Sequence, residues 1–431
     1  MLFMKNWAKS LEFHPEKILA PTSTEEIQTI VKNHLREKKT IRMRGSAHSW
    51  TKVFATSESF MHLDEMQGII EAQPEKEMVH VKAGTKLFRF GEEAFKFNMS
   101  LPNQGDINHQ SVAGALSTGT HGTGITLQSM ANQLYGITAV TGEGDVLTLN
   151  QEKNPELLQA LSVSMGAAAV LTEATIKMKN AYKLKVESFA EDFKQSRNEL
   201  QKRLRENRHL EMFYFPVGKW AMVKIMNETT DDVTPASRLA KAADLVLENW
   251  LYEALNIIAH KTNSYKRLDS FMRTFVNYKT FTDWSHRAFP TERTVRFMEM
   301  EYNVPLEKFD EVFDEIQSSI EKNRFQTLFP IEIRFVKGDE LWLSPAYQRD
   351  SVYFAIHTYI DEDYLPYFEN MQNIFKRYGG RPHWGKWHSL AHDDFEKVYP
   401  KWHDFKKIRQ ELDPNGLWLN DHLKTLFPRS T

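Results

Sequence analysis

The sequence predicts an α+β protein in two regions and a C-terminal segment, with breaks near residues 180 and 380. Three observations predict it. A capped helical pattern runs into an alternating strand over residues 21–50, and two alternating apolar runs flank a glycine turn over 134–150. After Leu171 the texture changes to strands and aromatic-rich stretches that continue to about Arg381. At 431 residues the chain also exceeds what one hydrophobic core usually serves.

In "PTSTEEIQTIVKNHLREKKTIRMRGSAHSW", Thr22, Ser23 or Thr24 can cap a helix whose first turn carries Glu25 and Glu26, and Ile27, Ile30, Val31 and Leu35 keep helical spacing. "TIRMR" then alternates as a strand does. "FMHLDEMQGI" and "EMVHVKAGTKL" follow, then a helix from about Leu87 to Asn98 and a glycine-rich passage from Leu101 to Ile125. "LYGITAVTGEGDVLTLN" reads as a hairpin turning at Gly142 to Asp145, where glycine tolerates positive φ. Beyond the exit strand "TEATIKMKNAYKLKVES", residues 236–275 show helical periodicity through Leu239, Ala242, Leu245, Leu247, Trp250, Leu251 and Leu255. They are expected to form a packed helical pair, with a surface for a membrane or partner as the alternative.

The composition excludes several classes of function. Lys plus Arg total 55 against 57 Asp plus Glu, so no general attraction to nucleic acid or anionic membrane is expected. The absence of cysteine removes disulfides, thiolate nucleophiles, cysteine-ligated metals and any cysteinyl cofactor link. Lys5 and Lys9 interrupt the N-terminal apolar residues, and no run approaches the ~20 apolar residues of a membrane span. A cytoplasmic protein acting on a small molecule is expected.

The strand–G-x-G-x-x-G–helix fingerprint and the P-loop pattern are both missing. Two other loops suit phosphate: "RGSAHS" at 44–49 and "GALSTGTHGTG" at 114–124, where small residues let the backbone approach an anion and consecutive N–H groups can share a concavity. Two such loops match the two charged groups of a pyrophosphate. Glu332 and Arg334 in "IEIRF" stand two apart on a strand and therefore face one side. Lys386 in "RPHWGKWH" has aromatic neighbours able to desolvate it and lower its pKa toward the range of a base. His383 and His388 lack an acidic third ligand, and no metal is expected.

"RMRGSAHSW", "NQGDINHQSVAGALSTGTHGTG", "IEIRFVKGDELWLSPAY", "RPHWGKWH" and "LDPNGLWLNDHL" resemble, in this order and over almost the whole chain, the sugar-1,4-lactone oxidases and alditol oxidases, FAD enzymes of the vanillyl-alcohol-oxidase type. The resemblance implies a two-subdomain PCMH-type FAD-binding domain over 1–180, an α/β substrate cap with an antiparallel sheet over 181–380, and a segment 381–431 that returns to the FAD. It implies a covalent bond from His48 to the flavin. Further FAD contacts would come from Arg44, Gly45, Ser46, Ala47, Ser49, Gly105, Asp106, Ser111, Val112, Gly114, Ser117, Gly119, His121, Gly122, Val170, Lys386 and His422.

By the same resemblance, Glu332 and Arg334 bind and polarise the substrate, Lys386 assists proton removal, and Ser111, His357 and Tyr359 line the pocket. Gly105 stands where related dehydrogenases carry a larger residue that shields the reduced flavin, which implies an oxidase giving hydrogen peroxide. The expected substrate is a sugar-1,4-lactone, with an alditol as the alternative. A flavin-binding protein without turnover would keep the two loops but could lose Glu332, Arg334 and Lys386, and all three are present.

Overall fold

Helix Thr24–Glu37 begins at Ser23, whose hydroxyl accepts the Glu26 N–H, and ends at Lys38 in the left-handed conformation. It connects Lys17–Leu19 to Ile41–Arg44, and both strands pair parallel to the intervening Ser59–His62. The structure, a computed structural model, describes residues 3–235, 251–276, 278–291 and 294–428. A second, five-stranded antiparallel sheet follows in the order Val146–Asn150, Leu134–Thr141, Ala169–Lys177, Met78–Lys82, Ile69–Gln73. Its outer pair is the hairpin predicted around Gly142 to Asp145. The helix predicted from Leu87 stops at Phe95, and the glycine-rich passage holds the short helix Val112–Ser117.

The third sheet is antiparallel and eight-stranded, in the order Lys279–Trp284, Lys183–Asp192, Trp220–Thr229, His209–Phe215, Ile331–Val336, Ser351–Tyr359, Phe297–Pro305, Arg381–Pro382. Alternation along these strands sorts side chains between two faces. Tyr214, Phe335 and Phe354 meet Phe309 and Phe313 of helix Phe309–Asn323, and Tyr302 stacks on Phe375 of helix Leu365–Arg377. The opposite face carries the charges described below. Of the predicted helical stretch 236–275, helices Tyr252–Thr262 and Tyr265–Phe275 pack together, while 236–250 lie outside the described residues. Among the described residues no helix is long and apolar enough to cross a membrane.

The C-terminal segment closes on the first strands. Ile41 N–H donates to Leu417 O, and the Asn420 side chain donates to the carbonyls of Lys52 and Ala55. Arg42 is the buried hub of this junction, donating to Val53 O at 2.6 Å, Trp418 O at 2.8 Å, Gly166 O at 3.1 Å and also Met165 O. Unsatisfied buried acceptors cost about 1–3 kcal/mol each. Arg42→Met is therefore expected to lower stability by roughly 3 kcal/mol or more in urea unfolding; an unchanged midpoint would mean that water replaces the guanidinium.

Candidate active site

A half-open cleft with about 110 Å³ of solvent space separates the two loops that the sequence singles out. Arg44, Gly45, Ser46, Ala47, His48 and Ser49 form one wall, Ser111, Gly114, Ser117 and Thr118 the other, and Val170 lies with Leu171 between them. The loops touch where only glycine fits. A Cβ on Gly45 would sit 2.6 Å from Ser111 Oγ and 3.5 Å from the Cα of Gly114. Lys86 and Arg44 pair with Asp64 on the same side, and the buried Arg44 Nε has no hydrogen bond. A long cleft of small residues, exposed backbone and an unspent guanidinium donor fits the phosphates of a dinucleotide.

Ala47 adopts the left-handed conformation at φ 56°, which turns the chain before His48. The His48 ring lies between Trp7, 5.7 Å away at 25°, and His109, 6.5 Å away at 20°. Burial, then the charges of His109, Lys386 and Lys86, pushes His48 down to about 4, so its imidazole is neutral at pH 7. Lys386 thus links the cleft to the sheet. Its ammonium sits 4.5 Å above the Trp50 ring and 2.5 Å from Glu299. The tryptophans beside it in sequence do not desolvate it. Trp384 stacks away among Phe395, Tyr399 and Trp402, Trp387 packs on Tyr364 and Phe368, and the desolvating ring is Trp50 with a carboxylate opposite.

Cross-strand register builds the rest. Lys224 pairs with Glu211, Glu211 with Arg334, and Arg334 with Tyr353, so these side chains form a row on the sheet face away from the helices. Arg334 lies 2.5 Å from Glu211 and 3.0 Å from Asp106, also bonds Glu332, and donates to His121 O at 3.4 Å. Lys224 lies 3.6 Å from Glu211 and 4.0 Å from Asp106. One row along, His357 pairs with Glu299, placing its Nε2 3.5 Å from Glu299 and 4.0 Å from Glu332. Glu301, two residues beyond Glu299, meets His121 Nε2 at 3.1 Å, while His121 Nδ1 faces Gly122 O.

Five buried carboxylates, Asp106, Glu211, Glu299, Glu301 and Glu332, therefore face three permanent cations, Lys224, Arg334 and Lys386. Burial alone would raise Glu299, but the Lys386 ammonium outweighs it and holds the group at about 2. Glu301 is likewise held low, by His121, against its burial. Glu211 is raised, by burial first and by Glu332 in addition, despite Arg334 and Lys224.

The structure brings Glu332, Arg334, His357, Lys386, Asp106 and His121 into this one network. Val112 is buried beside the cleft. The space beside Gly119 is taken by Val163 and Pro345, and that beside Gly122 by Asn103 and Gln104 O. A Cβ on Gly105 would meet His121 O at 3.1 Å and Thr120 Cγ2 at 3.3 Å. Tyr359 ends its strand with its N–H on Glu362, and His422 sits near Arg42 and Lys52, pushed down to about 4 by burial and then by those charges. Sequence reading missed Glu211, Lys224, Glu299, Glu301, Trp7 and Trp50. Glu211 in "HLEMFYF" and Glu299 and Glu301 in "FMEMEYNV" carried the signal used for "IEIRF": carboxylates inside otherwise apolar strands.

Residues 174–426 match the D-arabinono-1,4-lactone oxidase family, and residues 15–150 match the FAD binding domain family. An L-gulono-1,4-lactone dehydrogenase of Mycobacterium tuberculosis is 30% identical over 98% of both chains. The L-gulonolactone oxidase of Mus musculus is 28% identical, again over 98% of both. In fold the chain is similar to a cholesterol oxidase from B. sterolicum, with a TM-score of 0.79 over 99% of this chain and 96% of that one, at 15% identity. The match to the lactone oxidase family covers more than half of the sequence, and the chain belongs to that family of FAD-dependent, sugar-lactone-oxidising enzymes.

Proposed function

We propose that the protein oxidises a hydroxyl of a sugar-1,4-lactone beside the ring carbonyl and passes the electrons through FAD to oxygen, giving hydrogen peroxide. The observation that carries this reading is the convergence of Glu332, Arg334 and Lys386, from separate strands and a loop, on one buried face that adjoins the cleft through His48 and Trp50. In this reading residues 1–180 hold the cofactor and 181–380 the substrate. FAD, held by the backbone of 45–49 and 111–118, supplies a two-electron acceptor. Arg334 and Lys386 fix the lactone's oxygens by charge-assisted hydrogen bonds, and Glu332 orients a hydroxyl. Gly105, which places no side chain beside the 120–121 backbone, supports oxygen as the acceptor. Peroxide release across L-gulono-, D-arabinono- and galactono-1,4-lactones, alditols and simple hydroxy acids tests the reading; release with alditols alone, or with none of these, overturns it.

His48 is proposed as the covalent anchor of the flavin. A neutral imidazole has the lone pair needed for bond formation, and His48 is held neutral down to about pH 4. His48→Ala is expected to fold and bind FAD that is released by acid precipitation, whereas wild-type FAD stays with the protein. Covalent incorporation into apoprotein is expected to be level from pH 6 to 8 and to fail as the pH approaches 4. Flavin retained by the precipitated variant would place the anchor elsewhere.

A further inference from the structure

The carbinol proton needs an acceptor, and the sheet face offers two nitrogen bases with different standing. Lys386 is committed to Glu299 at 2.5 Å, and an ammonium in such a pair has no lone pair to offer. His357 is arranged differently. Its Nδ1 lies 3.1 Å from Pro330 O, a group that only accepts, so the ring hydrogen belongs on Nδ1. Its Nε2 is buried, holds no hydrogen bond, and lies between Glu299 and Glu332 at 3.5 and 4.0 Å.

We propose that His357 Nε2 is the catalytic base that takes the hydroxyl proton of the substrate. This rests on the lactone-oxidising function above and adds the residue that performs the proton step. The O–H bond breaks toward Nε2 as C=O forms, and bound FAD would supply the acceptor for the hydrogen and electron pair of the adjacent C–H bond. The surroundings suit a ring that carries charge after transfer. Among the described residues, the groups it meets are negative or neutral: Glu299 and Glu332 on the neighbouring strands, the rings of Phe297 and Phe329, and the Pro330 carbonyl. At rest both carboxylates are already paired, Glu299 with Lys386 and Glu332 with Arg334, so neither needs the His357 proton until the ring has received a second one.

Anaerobic reduction of the FAD-loaded enzyme by L-gulono-1,4-lactone tests this from pH 5 to 9. His357→Ala is expected to slow the limiting rate of flavin reduction by roughly 10² or more, with lactone affinity and flavin content kept. Added imidazole should restore the rate in proportion to its neutral form, and His357→Gln, which fills the space, should be slow without rescue. An unchanged limiting rate, a loss confined to affinity, or failure of imidazole to rescue would overturn the proposal. A second readout needs no turnover: the long-range ¹H–¹⁵N spectrum of wild type against His357→Gln should assign His357 as the Nδ1–H tautomer, and an Nε2–H signature would overturn it. Failure of the wild-type flavin to bleach with any sugar lactone would instead refute the functional reading, which the tautomer spectrum leaves untouched.

Discussion

Arg334→Leu is expected to abolish measurable flavin reduction and to destabilise the fold at the same time. The guanidinium is largely shielded, with 11% of the side chain exposed, and touches Glu211, Asp106 and Glu332. Burial works against its charge, yet the three carboxylates outweigh this and keep it protonated well above the ordinary arginine range. Removing one partner of a buried charge set typically costs about 3–5 kcal/mol, because the remaining charges stay desolvated and unpaired. The loss should depend on pH in a defined direction. Without Arg334, Glu211, already raised by burial, must rise further and be protonated in the folded state. The folded variant then binds more protons than the unfolded chain, so its stability falls as pH rises.

Thermal melts of Arg334→Leu should therefore show a larger deficit against wild type at pH 8 than at pH 5. Arg334→Lys should recover part of the stability and little of the turnover, since one ammonium cannot reproduce the planar fork that spans three carboxylates. Equal deficits at both pH values would mean that the carboxylates find other counterions. Normal reduction rates in the leucine variant would remove Arg334 from substrate binding.

What the sequence revealed and what it concealed divide along the range of the interactions. Ser23 as the helix cap, the hairpin turning at Gly142 to Asp145, and the shared side of Glu332 and Arg334 all follow from residues within a few positions of one another. Meeting of the two small-residue loops was legible because each advertised the same need for backbone access, and Gly45 does oppose Gly114. The partners of Arg334 were not legible. Glu211 lies 123 residues away, and only the pairing register of His209–Phe215 with Ile331–Val336 makes them neighbours. Arg42 was not legible for the same reason: its donors go to backbone carbonyls as distant as Trp418. Lys386 shows the limit of inference from chain neighbours, because its tryptophan neighbours turn into the C-terminal aromatic cluster and Trp50 takes their place.

Lys386→Met is expected to separate chemistry from cofactor binding. Methionine retains a flexible apolar stem to lie against Trp50 and removes only the charge, so flavin content should change little while the stranded Glu299 carboxylate lowers stability. The effect on the reaction should be large. Glu299, held at about 2 chiefly by Lys386 against its own burial, loses its counterion and turns to the histidine 3.5 Å away. A proton then settles between Glu299 and His357 before substrate arrives, and the substrate's oxygens also lose a charged donor. Lost electrostatic or proton-transfer roles of this kind cost on the order of 10² to 10⁴ in rate. Because Lys386 also helps hold His48 down, the variant's His48 should titrate at a higher pH. The covalent incorporation of FAD should then begin to fail at a less acid pH than in wild type. Anaerobic bleaching by L-gulono-1,4-lactone measures the first effect, and acid-stable flavin against incorporation pH measures the second. Bleaching at the wild-type rate would leave Lys386 as a packing partner of Trp50. Slow bleaching with an unshifted incorporation profile would confine its charge to the substrate side of His48.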